Sequence, residues 1–220
     1  VRAHLAAREC GIHFIVGSEI GLTTGGGQPH ARVVFLAQDR RGYGNLCEAI
    51  TLARRRAEKG HYLALVADYE GKTAKAPHLA GLPGCIALLL PGADETVEAL
   101  FAKAMWLKTW FDGRAWLFAP RPMGLDDELR CWIIEQVAEL TGLRIVATAS
   151  PVMHTRLRKP LQDVVTAVRV GRPVSRCGYD LQPNGEAYLR GRAYLRQAFA
   201  DAAMRETIEV ARQCAFSLEE

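Results

Sequence analysis

The sequence predicts an α/β domain, and three observations predict it. Short apolar, β-branched-rich runs recur along the chain; CIALLL at 85–90 and RIVAT at 144–148 are the cleanest. Such runs are expected of strands covered on both faces. They alternate with segments of roughly 10–16 residues whose apolar positions repeat at helical spacing, the pattern of parallel βαβ units. Glycines 11, 60, 142 and 171 close the helical patterns, as C-terminal stops do.

In order, residues 1–10 are helical in composition and 12–16 form an apolar strand leading into Gly17-Ser18-Glu19-Ile20. TTGGGQP at 23–29 has three consecutive glycines but neither the spacing nor the Lys-Ser/Thr of a phosphate-binding loop, so it reads as a hairpin connection. His30 opens the strand 31–37, which puts Glu19 and His30 near facing ends of two neighbouring strands. A helix is expected at 45–58, with Leu46, Ile50, Ala53 and Ala57 inward. Strands at 62–68 and 85–90 follow, separated by a Gly/Pro/Lys-rich loop. Asp94 is placed to cap the next helix, with Glu95 and Glu98 in its positive first turns and Val97, Leu100, Phe101, Ala104 and Leu107 on its core face.

The strand 115–118 ends at Pro120-Arg121-Pro122. The helix 125–140 starts acidic and turns Leu125, Leu129, Trp132, Ile133, Val137 and Leu140 inward. After the strand 144–148 comes a loop at 149–158, at the strand end where α/β folds build sites. Pro160 suits a first helical position, and Leu161, Val164, Val165 and Val168 share one face of the helix it opens. A Gly/Pro/Asn-rich link and two helices, roughly 191–200 and 202–214, complete the chain.

At 220 residues, 49% apolar and 24% charged, the composition is that of an ordinary soluble globular protein. A net charge of +4 is too mild to mark a dedicated nucleic-acid domain. The six cysteines form no CxxC pair and read as reduced core residues of a cytoplasmic protein. No secretory signal and no run of 18 apolar residues occurs, so neither export nor a membrane partner is expected. Because the chain opens on Val1 inside a helical pattern, it is expected to be a piece of something longer.

Histidines stand at 4, 13, 30, 61, 78 and 154 without HxH, HExxH or HxxxH spacing. Glu19 and His30 are the candidate metal or phosphate ligands, and His154 is the candidate pocket residue on the loop after 148. No GxSxG elbow appears and no carboxylate pair stands out, so no catalytic residue is assigned. Arg54, Arg55 and Arg56, with Arg156, Arg158 and Lys159, form two basic clusters that fit either solvated surface or phosphate contact.

The segments GIHFIVGSEI and HARVVFLAQDRRGYGNLCEA resemble the bacterial C-family DNA polymerases, which carry a Gly-x-Glu strand, a His-led strand ending in Leu-Ala, then Gly-Tyr-x-Asn-Leu. Gly17 to Glu19, His30 to Ala37 and Gly42 to Leu46 match in that order. So do RKPLQDV at 158–164, Arg169-Val170-Gly171, and the tail EVARQCAF, similar to the family's Ala-x-x-Cys-x-Phe. ARRRAEKG and RKPLQD point to the error-prone branch, related to the alpha subunit of DNA polymerase III. The resemblance covers nearly the whole chain and is weakest at about 93–124.

The resemblance implies a polymerase-and-histidinol-phosphatase (PHP) domain: a distorted (β/α)7 barrel over residues 1–172, N-terminally truncated, with 173–220 as a helical extension toward a polymerase palm. It implies a parent DNA-directed DNA polymerase of replication and damage-induced repair. Palm carboxylates beyond residue 220 would hold two metal ions. DNA, the palm and thumb, a sliding clamp and damage-response proteins would be its partners. In relatives the PHP pocket can hold a divalent metal (Mg, Mn or Zn), and by position Glu19 and His30 match two ligands.

Departures from the pattern are expected to cost this chemistry. The family's His-x-His strand would precede Val1, Ser150-Pro151-Val152 stand where Asp-x-His is usual, and Pro120-Arg121-Pro122 replaces a more usual polar pair. His154 matches a further histidine of the error-prone branch. Serine and valine offer no strong donor. The expectation is therefore a catalytically inactive, metal-free PHP domain with a structural role, its arginine clusters lining a DNA path. The alternatives are a stand-alone PHP-superfamily metal-dependent phosphoesterase, and a non-catalytic interaction module.

Overall fold

A computed structural model describes residues 2–92, 94–121 and 126–219. Val1, Pro122 and the expected inward position Leu125 lie outside the described residues. Among those described, β1 (Gly17–Thr23), β2 (Pro29–Ala37), β3 (Ala64–Leu65), β4 (Cys85–Leu90), β5 (Ala115–Pro120) and β6 (Arg144–Thr148) form one sheet in the order β3-β1-β2-β4-β5-β6. The sheet is mixed. β1–β2 and β2–β4 pair antiparallel, whereas β1–β3, β4–β5 and β5–β6 pair parallel. The parallel half follows from two crossovers through α4 (Val97–Trp110) and α5 (Asp127–Thr141).

One face of the sheet carries the main core. Val33, Phe35, Ala87, Leu89 and Leu117 pack there against Leu46 and Ala53 of α2 (Arg40–Arg55), Leu100 and Leu107 of α4, and Val137 of α5. Phe35 stacks on Tyr69 at 5.0 Å and on Phe111 at 5.6 Å between ring centroids. Alternate residues of the same strands, Ile86, Leu88, Trp116 and Val146, point to the other face, as a period of two requires. There they meet Val210 of α8 (Asp201–Gln213) and Cys214 just after it.

The tail is therefore part of the core. Glu206 fixes it: its carboxylate accepts from Trp116 Nε1 at 2.8 Å and pairs with Arg144 at 3.2 Å, while the Arg144 guanidinium lies 4.3 Å from the Trp116 ring centre. Glu206→Ala should cost about 1–2 kcal/mol, the range for a hydrogen bond to a charged group. Hydrogen exchange checks it: α8 amides should lose protection while those of β4 keep theirs.

Several boundaries differ from expectation for local reasons. Residues 12–16 are irregular, and the strand begins at Gly17. α2 starts five residues before Asn45, because Asp39 Oδ1 accepts from Gly42 N at 2.7 Å and caps it at Arg40. Thr96, not Asp94, caps α4, with its hydroxyl 3.3 Å from Ala99 N. The expected strand at 62–68 shrinks to Ala64–Leu65 followed by α3 (Val66–Tyr69). The Asp68 carboxylate turns the chain by accepting from Leu65 N at 3.0 Å.

Two helical faces differ from expectation. In α5, Val137 is buried and Ile133 packs on the core as expected, but Leu129, Trp132 and Leu140 are exposed, and Ile134 and Thr141 are buried in their place. In α6 (Lys159–Val170), Leu161, Val164, Val165 and Val168 face solvent, while Thr166 and Ala167 are buried. The helices α1 (Arg2–Glu9) and α7 (Arg192–Ala198) bury no residue fully. All six cysteines are free.

Candidate functional site

The hairpin separates the two expected ligands. Glu19 lies opposite Val34, four positions along β2 from His30, a distance of about 14 Å at ~3.4 Å per residue. The facing ends expected of Glu19 and His30 are thus corrected by the register. Glu19 is bound by the Arg32 guanidinium, whose Nε lies 2.9 Å away. His30 stands edge-on to Trp106, with ring centres 5.5 Å apart. Burial, reinforced by the Lys103 ammonium, holds its imidazole below the ordinary histidine range.

His30 Nε2 is buried without a partner, as a ligand's nitrogen would be. The carboxylates around it are engaged elsewhere. Glu70 accepts from Trp106 Nε1 at 3.0 Å and pairs with Lys72 at 2.6 Å; Glu95 accepts from Gly92 N at 2.7 Å and pairs with Lys103. Among the described residues no three His, Cys, Asp or Glu side chains are grouped to hold a metal. The residues present do not fit the metal centre that the resemblance implies.

The loop after β6 is tied down rather than open. Val152 N and Met153 N both donate to Ala187 O, at 2.9 and 3.2 Å, and Leu189 N donates to Met153 O at 3.1 Å. Ser150 sits at φ +41°, its N–H donating to Thr148 Oγ1 at 2.9 Å. His154 is exposed at the lip of this loop. Ser150 and Val152, where the resemblance implies a carboxylate and an imidazole, bring no such donor.

Half of the six basic candidates are already paired with carboxylates. Arg156 reaches Glu186 at 2.8 Å, and the same carboxylate holds Arg190, whose 3%-exposed side chain lies between Tyr188 and Tyr194. Lys159 bonds Asp163 at 2.6 Å, and Arg56 bonds Asp68. Arg54 lies over the Tyr62 ring at 5.8 Å, Arg55 is exposed, and Arg158 borders the apolar face of α6.

Sequence reasoning missed one cavity. It holds about 600 Å³ beyond the C-terminal end of β4, between the starts of α4 and α5, with Leu129, Trp132 and Ile133 in its wall and Asp94, Glu98 and Asp126 at its rim. Treating Leu129 and Trp132 as core hid it.

The residues that carry the family resemblance converge on a different place. Gly42 lies so close to Gly84 that an added Cβ would stand 1.8 Å from the Gly84 carbonyl oxygen. Asn45 Nδ2 donates to Pro83 O at 2.8 Å, and Leu46 is buried. Tyr43 stacks on Phe216 at 4.7 Å. Ala215 N and Phe216 N both donate to Gln38 O, at 3.0 and 3.1 Å. The Gly-Tyr-x-Asn-Leu segment and the Cys-x-Phe tail form one joint.

No family model matches the chain. Over 220 residues it is 43% identical to the error-prone DNA polymerase of Bordetella parapertussis, a match covering 100% of this chain and 21% of that protein. The error-prone DNA polymerase of Ralstonia nicotianae is 41% identical over 224 residues, covering 100% of this chain and 21% of its own length. That of Methylococcus capsulatus is 40% identical over 222 residues, with 100% and 19% covered. The chain spans about a fifth of the length of these curated relatives.

Proposed function

We propose that this chain, homologous along its whole length to one stretch of the error-prone DNA polymerases, serves such a polymerase as a scaffold and not as a hydrolase. The fold we put forward is a degenerate PHP-type barrel over residues 1–172, on which the helical segment 173–220 docks. The observation that carries this reading is the use made of the shared motifs: Gly42, Asn45 and Phe216 are committed to close packing. Support also comes from the Ser150 and Val152 positions, which lack metal donors. The homologues do not favour a stand-alone phosphoesterase.

Metal content and turnover test the reading. The purified chain, dialysed against Zn²⁺ or Mn²⁺, should retain no stoichiometric metal and hydrolyse neither a phosphomonoester nor a DNA 3′ end. Stoichiometric metal with phosphatase turnover would favour the phosphoesterase instead. In the whole polymerase, nucleotidyl transfer would belong to other domains.

DNA contact by this part would fall on the exposed Arg54, Arg55 and Arg158, since Arg56, Arg156 and Lys159 are committed to carboxylates. Charge reversal should lower the salt slope of binding by about one for every phosphate that is no longer neutralised. An unchanged slope after joint reversal of Arg54, Arg55 and Arg158 to glutamate would remove DNA from the role.

A further inference from the structure

α6 is inside out. Its polar Thr166 is buried and its Lys159–Asp163 pair is half-buried, while Leu161 is 52% exposed, Val165 56% and Val168 77%. Leu157, one turn earlier, is 89% exposed. Contiguous apolar surface of this kind marks an interaction site. Leu157 belongs to the 3-10 turn Arg156–Arg158 that leads into α6, and within α6 positions 161, 164 and 168 are spaced three and four apart, the spacing of the seam that one helix offers another. A groove of about 380 Å³ runs beside it, walled by Val152, Met153, Leu161 and Val165, with His154 and Arg158 at its edge.

The charges along the seam select the occupant. Arg158, the N-cap of α6, borders this groove together with Gln162 and Val165, and Arg169 follows four residues after Val165 and seven after Gln162 on α6, so both arginines flank one side. Arg158 and Arg169 make no ion pair among the described residues, whereas their neighbours Lys159, Arg156 and Arg172 are neutralised by Asp163, Glu186 and Asp180. A second copy is a poor occupant. Antiparallel two-fold packing sets like flank against like, arginine against arginine. Parallel packing sets that flank against Pro160 and Ala167, which carry no charge.

We propose that the outward face of α6 docks an amphipathic helix of a protein partner, apolar along its seam and acidic along one flank. This rests on the geometry of α6 and not on the assignment to the polymerases, so either can fail without the other.

The test uses the 220-residue chain and two labelled peptides of about three heptads, with leucine seams and either glutamate or lysine flanks, read by fluorescence anisotropy. The glutamate peptide should bind at least about tenfold tighter than the lysine peptide. Leu161→Asp with Val168→Asp should abolish binding without changing the circular dichroism spectrum, since both side chains are exposed. Arg158→Glu with Arg169→Glu should reverse the preference. Binding of neither peptide, or equal binding of both, would overturn the proposal. So would a dimer in sedimentation that the aspartate variant dissociates, or binding to anionic vesicles or duplex DNA that this variant abolishes.

Discussion

Gly42→Ala is expected to destabilise the fold by about 3 kcal/mol, the upper end of the usual overpacking range. The added methyl would stand 1.8 Å from the Gly84 carbonyl oxygen and 2.4 Å from its carbon. Backbone cannot rotate away as a side chain can. Gly84 itself sits at φ +77°, a conformation that favours glycine, so the partner is as constrained as the site. Gly44, two residues on in α2, has nothing within 4 Å of its ideal Cβ. Gly44→Ala should therefore stabilise by about 0.5–1 kcal/mol through helix propensity alone. Urea midpoints of the two variants should move in opposite directions. A Gly42→Ala midpoint equal to the parent's would mean that α2 and Gly84 are not tightly packed in solution.

Asp68→Asn should cost about 3–5 kcal/mol near neutral pH, the cost of breaking a buried ion pair from one side. Asp68 is 3% exposed. It takes two bonds from Arg56, one of them 2.6 Å, one from the Thr73 hydroxyl at 2.6 Å and one from Leu65 N at 3.0 Å. Burial opposes the charge of this carboxylate, but the Arg56, Thr73 and Leu65 donors outweigh burial and hold it below the usual carboxylate range. A depressed folded-state value means that the stabilisation is complete above the unfolded-state value, about 3.9. It is lost as pH falls through the folded one. The gap in stability between parent and Asp68→Asn should thus be constant from pH 7 to about 5 and close below about 4. A gap that stays constant down to pH 2 would show that the charge of Asp68 contributes nothing.

The elements were legible where the sequence carried both a period and a stop. β4, β5, β6, α7 and α8 fall within two residues of expectation or closer. Periodicity tells which side chains share a face but not where that face points. Leu161, Val164, Val165 and Val168 do lie together, on the wrong side of α6 for a core. Leu129 and Trp132 failed in the same way, and with them the cavity at the start of α5. The run at 62–68 contains strand formers, yet one carboxylate with four donors around it turned its last three residues into a helix. His30 was placed at the start of its strand, but Glu19 was put past the end of a strand at 12–16 and lies instead inside β1, and pairing register is a long-range property that neither strand encodes alone. The joint between Gly42–Leu46 and Phe216 was visible only as two separate motifs.

That joint also sets how the unit would answer tension. His13 Nε2 donates to Cys214 O at 2.8 Å, Arg8 reaches Glu219 at 3.0 Å, and Gln38 O takes the N–H groups of Ala215 and Phe216. The first and last described segments therefore leave the fold side by side. A pull between them would first peel these few bonds apart, in series, before strain entered the sheet.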